Sequence, residues 1–177
     1  SSAIKPRINP WIDQFQSNNH MLTEEELSAY EAGETFIQFL IVQLDGLLTS
    51  FKKALSEKNY DILVMMLSSD VTARFERAIK KCAFNRLGGL ILDQEVRNLG
   101  TFLTGATSWT VRDKMARLTQ IAIILNLDTI SELSEYYDPK SHDQSAFTTW
   151  RLTPNEIKTI LSLRTDFKIE DIKKLQL

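Results

Sequence analysis

Apolar residues recur along this chain in steps of three and four. Ile37, Leu40, Leu44, Leu47, Phe51 and Leu55 form one series within Phe36 to Leu55. Tyr60, Leu63, Leu67, Val71, Phe75, Ile79 and Cys82 form a second. The same spacing links Val96, Leu99 and Leu103, and then Val111, Met115, Leu118, Ala122 and Leu125. Side chains three or four apart share one face of an α-helix, so each series predicts an amphipathic helix with a stripe to hide. Nothing alternates with a period of two, and no strand is expected.

Shorter signals punctuate these helices. Pro6 and Pro10 break the opening segment, so Ile8, Ile12 and Phe15 predict a short helix that starts after Pro10. Thr23 to Glu34 carries Glu24, Glu25, Glu26, Glu31 and Glu34 without a base. It reads as a solvated loop or exposed helical turn, or else as a docking strip for a basic partner. Leu87-Gly88-Gly89-Leu90 reads as a helix C-cap and sharp turn. The helix through Leu103 breaks near Gly105, and the next begins at Thr110. Asp128 is expected to cap a short helix through Ile130, Leu133 and Tyr137. Tyr137 to Trp150 is a loop containing the turn formers Asp138, Pro139, Ser141 and Asp143. Thr153-Pro154-Asn155-Glu156 places Thr at the N-cap, Pro at the first helical position and Glu at the third. That is a capping box, the strongest local signal in the chain. Ile157, Ile160 and Leu161 continue that helix, and a last one holds Phe167, Ile172 and Leu175. The expected fold is all-α, built of stacked antiparallel helical bundles. Residues 1–107 would form one layer, with 108–177 as a small C-terminal bundle packed on it.

Composition agrees with this picture. A chain of 177 residues, 43% apolar and 25% charged, can bury a sizeable core. Six glycines and four prolines are few, which favours long helices over a turn-rich sheet. A net charge of −2 gives no general attraction to nucleic acid or acidic lipid. The longest apolar run, Phe36 to Leu48, is interrupted by Gln38, Gln43, Asp45 and Gly46. A membrane span takes roughly 20 apolar residues, so the run predicts a buried helix. The lone Cys82 suggests a reducing compartment such as the cytosol. The start at Ser1-Ser2 without an initiator Met suggests a fragment of a longer chain.

Candidate chemistry is sparse. The histidines are His20 and His142, both in polar, loop-like stretches, and Cys82 sits on an apolar helical face as a small core residue. This supplies neither a nucleophile beside a base nor a metal-ligand set, so no enzyme, cofactor or metal is expected. Arg74, Arg77 and Lys81 share a helix face within a segment that also holds Lys80 and Arg86 against Glu76 alone. The bland reading is a solvated face; the alternative is a helical module that binds nucleic acid or anionic lipid there. Arg117 lies on the shoulder of the stripe formed by Met115, Leu118 and Ile121. Either it snorkels to water, or it is part-buried and paired. Its candidate partners are Asp113 at i−4 and, if the Thr153 helix packs back, Glu156.

Four segments in order resemble a known family. They are Phe84-Asn85-Arg86-Leu87-Gly88-Gly89-Leu90, the stretch from Trp109 to Leu118, the stretch from Trp150 to Ile157, and the stretch from Arg164 to Leu175. They are similar to the C-terminal end of the fourth subunit of the conserved oligomeric Golgi tethering complex, and Ile4 to Phe15 also fits. The resemblance covers nearly the whole chain. It implies a helical-rod fold shared with other tethering complexes. It also implies a non-catalytic part in vesicle tethering for retrograde intra-Golgi transport and Golgi glycosylation homeostasis, at the cytosolic face of the Golgi membrane. The implied partners are other subunits of the complex. SNAREs and Sec1/Munc18-type regulators would be met mainly through an N-terminal region absent here. No nucleic acid is implied. The family pattern has Arg and Glu at positions 117 and 156, which favours an interhelical pair over snorkelling. The loop from Asp138 to Phe147 departs from the family in length and composition.

Overall fold

A computed structural model of the chain describes residues 2–138 and 149–177. Among them lie nine α-helices: α1 Lys5–Asp13, α2 Glu24–Ala32, α3 Phe36–Lys52, α4 Glu57–Ile79, α5 Arg86–Ala106, α6 Arg112–Leu125, α7 Leu133–Tyr136, α8 Pro154–Leu161 and α9 Ile169–Lys173. Among the described residues the only extended pairing is a single bridge between Phe84 and Arg164. The fold is all-α.

The hydrophobic series are the buried faces. Leu40 and Leu44 of α3, Val64, Val71, Phe75 and Ile79 of α4, Leu99 and Leu103 of α5, and Ile121, Ile124 and Leu125 of α6 lose all contact with solvent. Ile8, Ile12 and Phe15 join the same core at one end, and Ile157, Ile160, Leu161 and Ile172 at the other. Each such side chain contributes about 1.5–3 kcal/mol on burial, so the core and not helix propensity fixes the arrangement. Leu63, Phe51 and Leu55 pack against the core only in part. The packing runs chiefly between α5 and α6, α1 and α4, α4 and α6, and α6 and α8.

Capping is written into the loops. Thr23, Thr35 and Thr153 each form a full capping box, with Glu26, Gln38 and Glu156 respectively. Ser56 caps α4 and Asn85 caps α5 through side-chain acceptors. Each cap satisfies an amide at a helix start that has no helical partner.

Several local expectations are corrected. Helix α1 starts at Lys5 instead of after Pro10; Pro6 falls in its first turn and Pro10 inside it. A proline in the first turn gives up an N–H that had no partner, and burial of Ile8 and Ile12 around Pro10 offsets the bond lost there. The acidic stretch is exposed and helical, in line with one reading, but it extends beyond a single turn to a nine-residue helix, α2, with no buried residue. Leu87 to Leu90 is not a C-cap but the first turn of α5, and no glycine has positive φ. These glycines serve close approach. A Cβ on Gly88 would collide with the His20 carbonyl oxygen, and one on Gly89 with the Leu125 carbonyl oxygen.

Helix α6 starts at Arg112, two residues past Thr110. Asp128 does not cap the next element. Its carboxylate accepts from Arg86 Nε, and Thr129 precedes the 3₁₀ turn Ile130–Glu132 that leads into α7. Cys82 lies just beyond α4, half-buried, its thiol donating to the Ala78 carbonyl at 3.3 Å. The loop after α7 is clasped at its base. Tyr137 and Trp150 meet edge-to-face with centroids 5.4 Å apart, and Trp150 Nε1 donates to the Tyr136 carbonyl at 2.7 Å. Pro139, Ser141, His142 and Asp143 lie outside the described residues.

Candidate functional site

Arg117 projects from the middle of α6 to where α4 and α8 converge. Its Nε donates to Glu76 Oε2 at 3.0 Å and its Nη2 to Glu76 Oε1 at 2.6 Å, a two-point contact that fits the planar guanidinium to the carboxylate. Nη2 also meets Glu156 Oε2, and Nη1 donates to the Arg151 carbonyl at 3.0 Å. One side chain therefore ties α6 to α4, to α8 and to the segment leading into α8. Glu156 was a candidate only if the Thr153 helix packed back, and was favoured by the family resemblance; the principal partner, Glu76, went unnoticed because it lies 41 residues away on another helix. Asp113, the local candidate, instead accepts from Arg151 Nη2 at 3.0 Å.

Each carboxylate here has a second task. Glu156 Oε1 accepts from the Thr153 amide at 3.2 Å, so the residue that closes the α8 capping box also meets Arg117. Glu76 also accepts from Lys80 Nζ at 2.9 Å. The Arg117 guanidinium, helped by the Thr153 amide, holds the Glu156 carboxyl down to about 2. Burial pushes Glu76 up, but hydrogen bonds from Arg117 and Lys80 outweigh it and leave its pKa lowered. Arg117 is raised in turn by Glu76 and then Glu156. Glu76 is 12% exposed, Glu156 30% and Arg117 37%, so the network is partly desolvated. Gln120 extends it: its side chain donates to the Thr149 carbonyl at 3.0 Å and accepts from the Arg151 amide at 2.7 Å.

A second guanidinium lies deeper and was missed entirely. Arg164, 1% exposed, donates through Nη1 to the Leu125 and Leu127 carbonyls at 2.9 and 2.6 Å. Nε and Nη2 pair with Asp166 at 2.8 and 2.7 Å, and the group lies 4.1 Å from the Phe167 ring centroid. Arg164 thus satisfies carbonyls at the end of α6, where helical partners run out. Beside it, Phe84 donates to the Leu163 carbonyl and accepts from the Thr165 amide, both at 2.9 Å. The C-terminal segment is laced by backbone to the connection between α4 and α5.

The basic face is partly neutralised from within. Arg74 makes a two-point contact with Asp13 of α1 at 2.7 and 2.5 Å. Asp13 is held below its usual range first by that hydrogen bond and also by Lys81 and Arg77, so an acid sits among the three bases. Arg77 and Lys81 remain exposed. His20 is not a solvated loop residue. Its ring stacks between Phe15 and Phe84, with centroids 4.0 and 5.1 Å away, and Nε2 meets the Phe15 carbonyl at 2.7 Å. Among the described residues, no group of three or more His, Cys, Asp or Glu is placed to hold a metal ion, and no helix is long and apolar enough to cross a membrane. What the geometry assembles is a set of clamps between helices.

Comparison with known proteins gives a consistent answer. The profile of the family described as "Conserved oligomeric Golgi complex subunit 4, C-terminal" matches residues 1–159. A Drosophila melanogaster protein named Conserved oligomeric Golgi complex subunit 4 is 66% identical over all 177 residues, which make up 23% of its own length. The Homo sapiens protein of that name is 46% identical over the whole chain, or 22% of its length. The Dictyostelium discoideum protein is 28% identical over 175 residues, which are 98% of this chain and 19% of that protein. The chain spans less than a quarter of the length of these relatives. With an all-helical fold, a relative 66% identical over the whole of this chain and a family profile covering most of its residues, the chain belongs to the family of the C-terminal region of conserved oligomeric Golgi complex subunit 4.

Proposed function

We propose that this chain is a non-catalytic structural and interaction module of a multisubunit Golgi tether. It would serve vesicle tethering in retrograde intra-Golgi transport, and through it Golgi glycosylation homeostasis. Its site is the cytosolic face of the Golgi membrane, held there peripherally, and its partners are other subunits of the tether. SNAREs and Sec1/Munc18-type regulators are met mainly by the N-terminal region of the subunit. The match, over the whole of this chain, to relatives that bear a Golgi complex subunit's name carries this reading. The geometry supports it, because the partly buried polar side chains Arg117 of α6 and Glu156 of α8, with Glu76 of α4, bind helices to one another. In this reading residues 1–107 form a layer and 108–177 a small bundle held on it. Arg117, Glu76 and Glu156 set the angle between the two, and so the shape the module presents.

The 177-residue chain, used as bait against a Golgi extract, tests this. Enrichment of other tether subunits is the expected outcome. Recovery no greater than with an unrelated helical bait of the same charge would reject the interaction role.

A further inference from the structure

Between α2 and the first half of α5 lies a cavity of 210 Å³. A water takes roughly 30 Å³ of liquid volume, so the space admits a group of several heavy atoms. One wall is the chain before α2, including Asn19 and His20; Tyr30 and Glu34 form another; Gly88 and Glu95 of α5 form the floor. The walls are held in place by Asn85, which accepts from the Leu22 amide at 3.1 Å and donates to the Leu22 carbonyl at 2.7 Å. The Asn85 amide also donates to the His20 carbonyl. Gly88 lets that carbonyl lie directly on α5. The cavity is preformed.

Glu95 is the feature that asks for an occupant. It is 3% exposed, in the middle of α5. Its Oε1 accepts from the Tyr30 hydroxyl, while its Oε2 is buried without a hydrogen-bond partner. Protonation does not remove the deficit. The ionised group lacks a donor at Oε2; the neutral acid, protonated there, would lack an acceptor. Buried polar groups in folded proteins are ordinarily satisfied, so one half-satisfied carboxyl on a cavity wall needs a physical account. The lining residues include no Lys or Arg. His20 does not supply the donor either. Its Nε2 is engaged by the Phe15 carbonyl, and burial, partly offset by that bond, lowers its pKa and favours the neutral ring. Glu34 joins Glu95 on the lining, and Glu24, Glu25, Glu26 and Glu31 follow along exposed α2. Such an arrangement focuses negative potential on a small opening.

We propose that this cavity is a docking pocket for a single cationic side chain, Arg or Lys, carried on a basic segment of a partner protein. Glu95 Oε2 is the anchoring acceptor. Glu34 and the acidic residues exposed around α2 draw the segment in, and Tyr30 fixes the carboxylate's other oxygen. A guanidinium or ammonium fits better than a neutral donor because it fills the missing hydrogen bond and also neutralises a buried charge.

The test is an NMR titration of the ¹⁵N-labelled 177-residue chain with N-butylguanidinium, buffered above the Glu95 pKa of about 7. Saturable shifts at the Leu22, Gly88, Ile91 and Glu95 amides are expected. The neutral isostere N-butylurea should bind about tenfold more weakly, as should N-butylguanidinium to Glu95→Gln. Glu34→Gln, at an unburied position, should weaken binding by a smaller factor without touching the fold, and it stands in if the Glu95 variant melts early. No saturable shift would mean that the cavity holds water alone, and would overturn the proposal. Equal affinity for the urea, or undiminished affinity in both variants, would overturn it as well.

Discussion

Replacing Arg117 by Ala removes the group on which α4, α6 and α8 meet. Four hydrogen bonds go: two to Glu76, one to Glu156 and one to the Arg151 carbonyl. Glu76, 12% exposed, keeps only Lys80 and then faces Glu156 without the cation between them. An exposed pair contributes about 0–1 kcal/mol, whereas removing one partner of a fully buried pair costs about 3–5. With one carboxylate mostly buried and Arg117 and Glu156 partly in water, the loss belongs between these limits, at about 2–3 kcal/mol. For a chain of this length that is a fall in Tm of roughly 5–10 °C, read by circular dichroism or calorimetry. Arg117→Met, which keeps the aliphatic stem, separates lost packing from lost charge and should still lose most of that amount. Glu156→Gln keeps the capping box, since Gln also serves at that position, and should lose about 1 kcal/mol or less. A Tm of the Ala variant within about 1 °C of the parent would refute the clamp and return Arg117 to a snorkelling surface residue.

Two further predictions rest on the same structure. Gly89→Ala should destabilise by about 1–3 kcal/mol, because the new Cβ meets the Leu125 carbonyl and backbone must move. Gly46→Ala in α3 meets nothing and should stabilise by about 0.5–1 kcal/mol, so chemical denaturation should show opposite signs for the same substitution. The Glu95 carboxyl is pushed from 4.5 up to about 7 by burial, against the pull of the Tyr30 hydrogen bond. The folded chain therefore holds a proton that the unfolded chain releases. The contribution of this group to stability is fully present below about pH 4.5 and is lost as pH rises through about 7, on the order of 3 kcal/mol in all. Urea midpoints across that window should fall in the parent relative to Glu95→Gln, and parallel curves would contradict the shift.

Much of this molecule was legible in one dimension. A stripe such as Leu40, Leu44 and Leu47, or Leu67, Val71, Phe75 and Ile79, repeats because a helix returns to the same side every three or four residues. The burial of those residues follows from their order alone. The box at Thr153 and Glu156 was equally readable, since both partners lie within one turn. Glycine was misread for the opposite reason. Leu87-Gly88-Gly89-Leu90 looks like a stop because glycine admits left-handed backbone, yet here it serves a close approach by residues far away in sequence. The clamp was half legible. Arg117 announced itself by standing beside an apolar seam, but nothing local points to Glu76, and Arg164 gives no sign of being buried.

The linear order of residues determined most of the helices, the capping box at Thr153 and the hidden faces, because those depend on contacts within a few residues. Which charges meet, which carbonyl touches which glycine, and where Glu95 is left with an unanswered oxygen were decided only when α1 to α9 packed. Those pairings join positions tens of residues apart. Their energies depend on exclusion from water, which no single helix can provide.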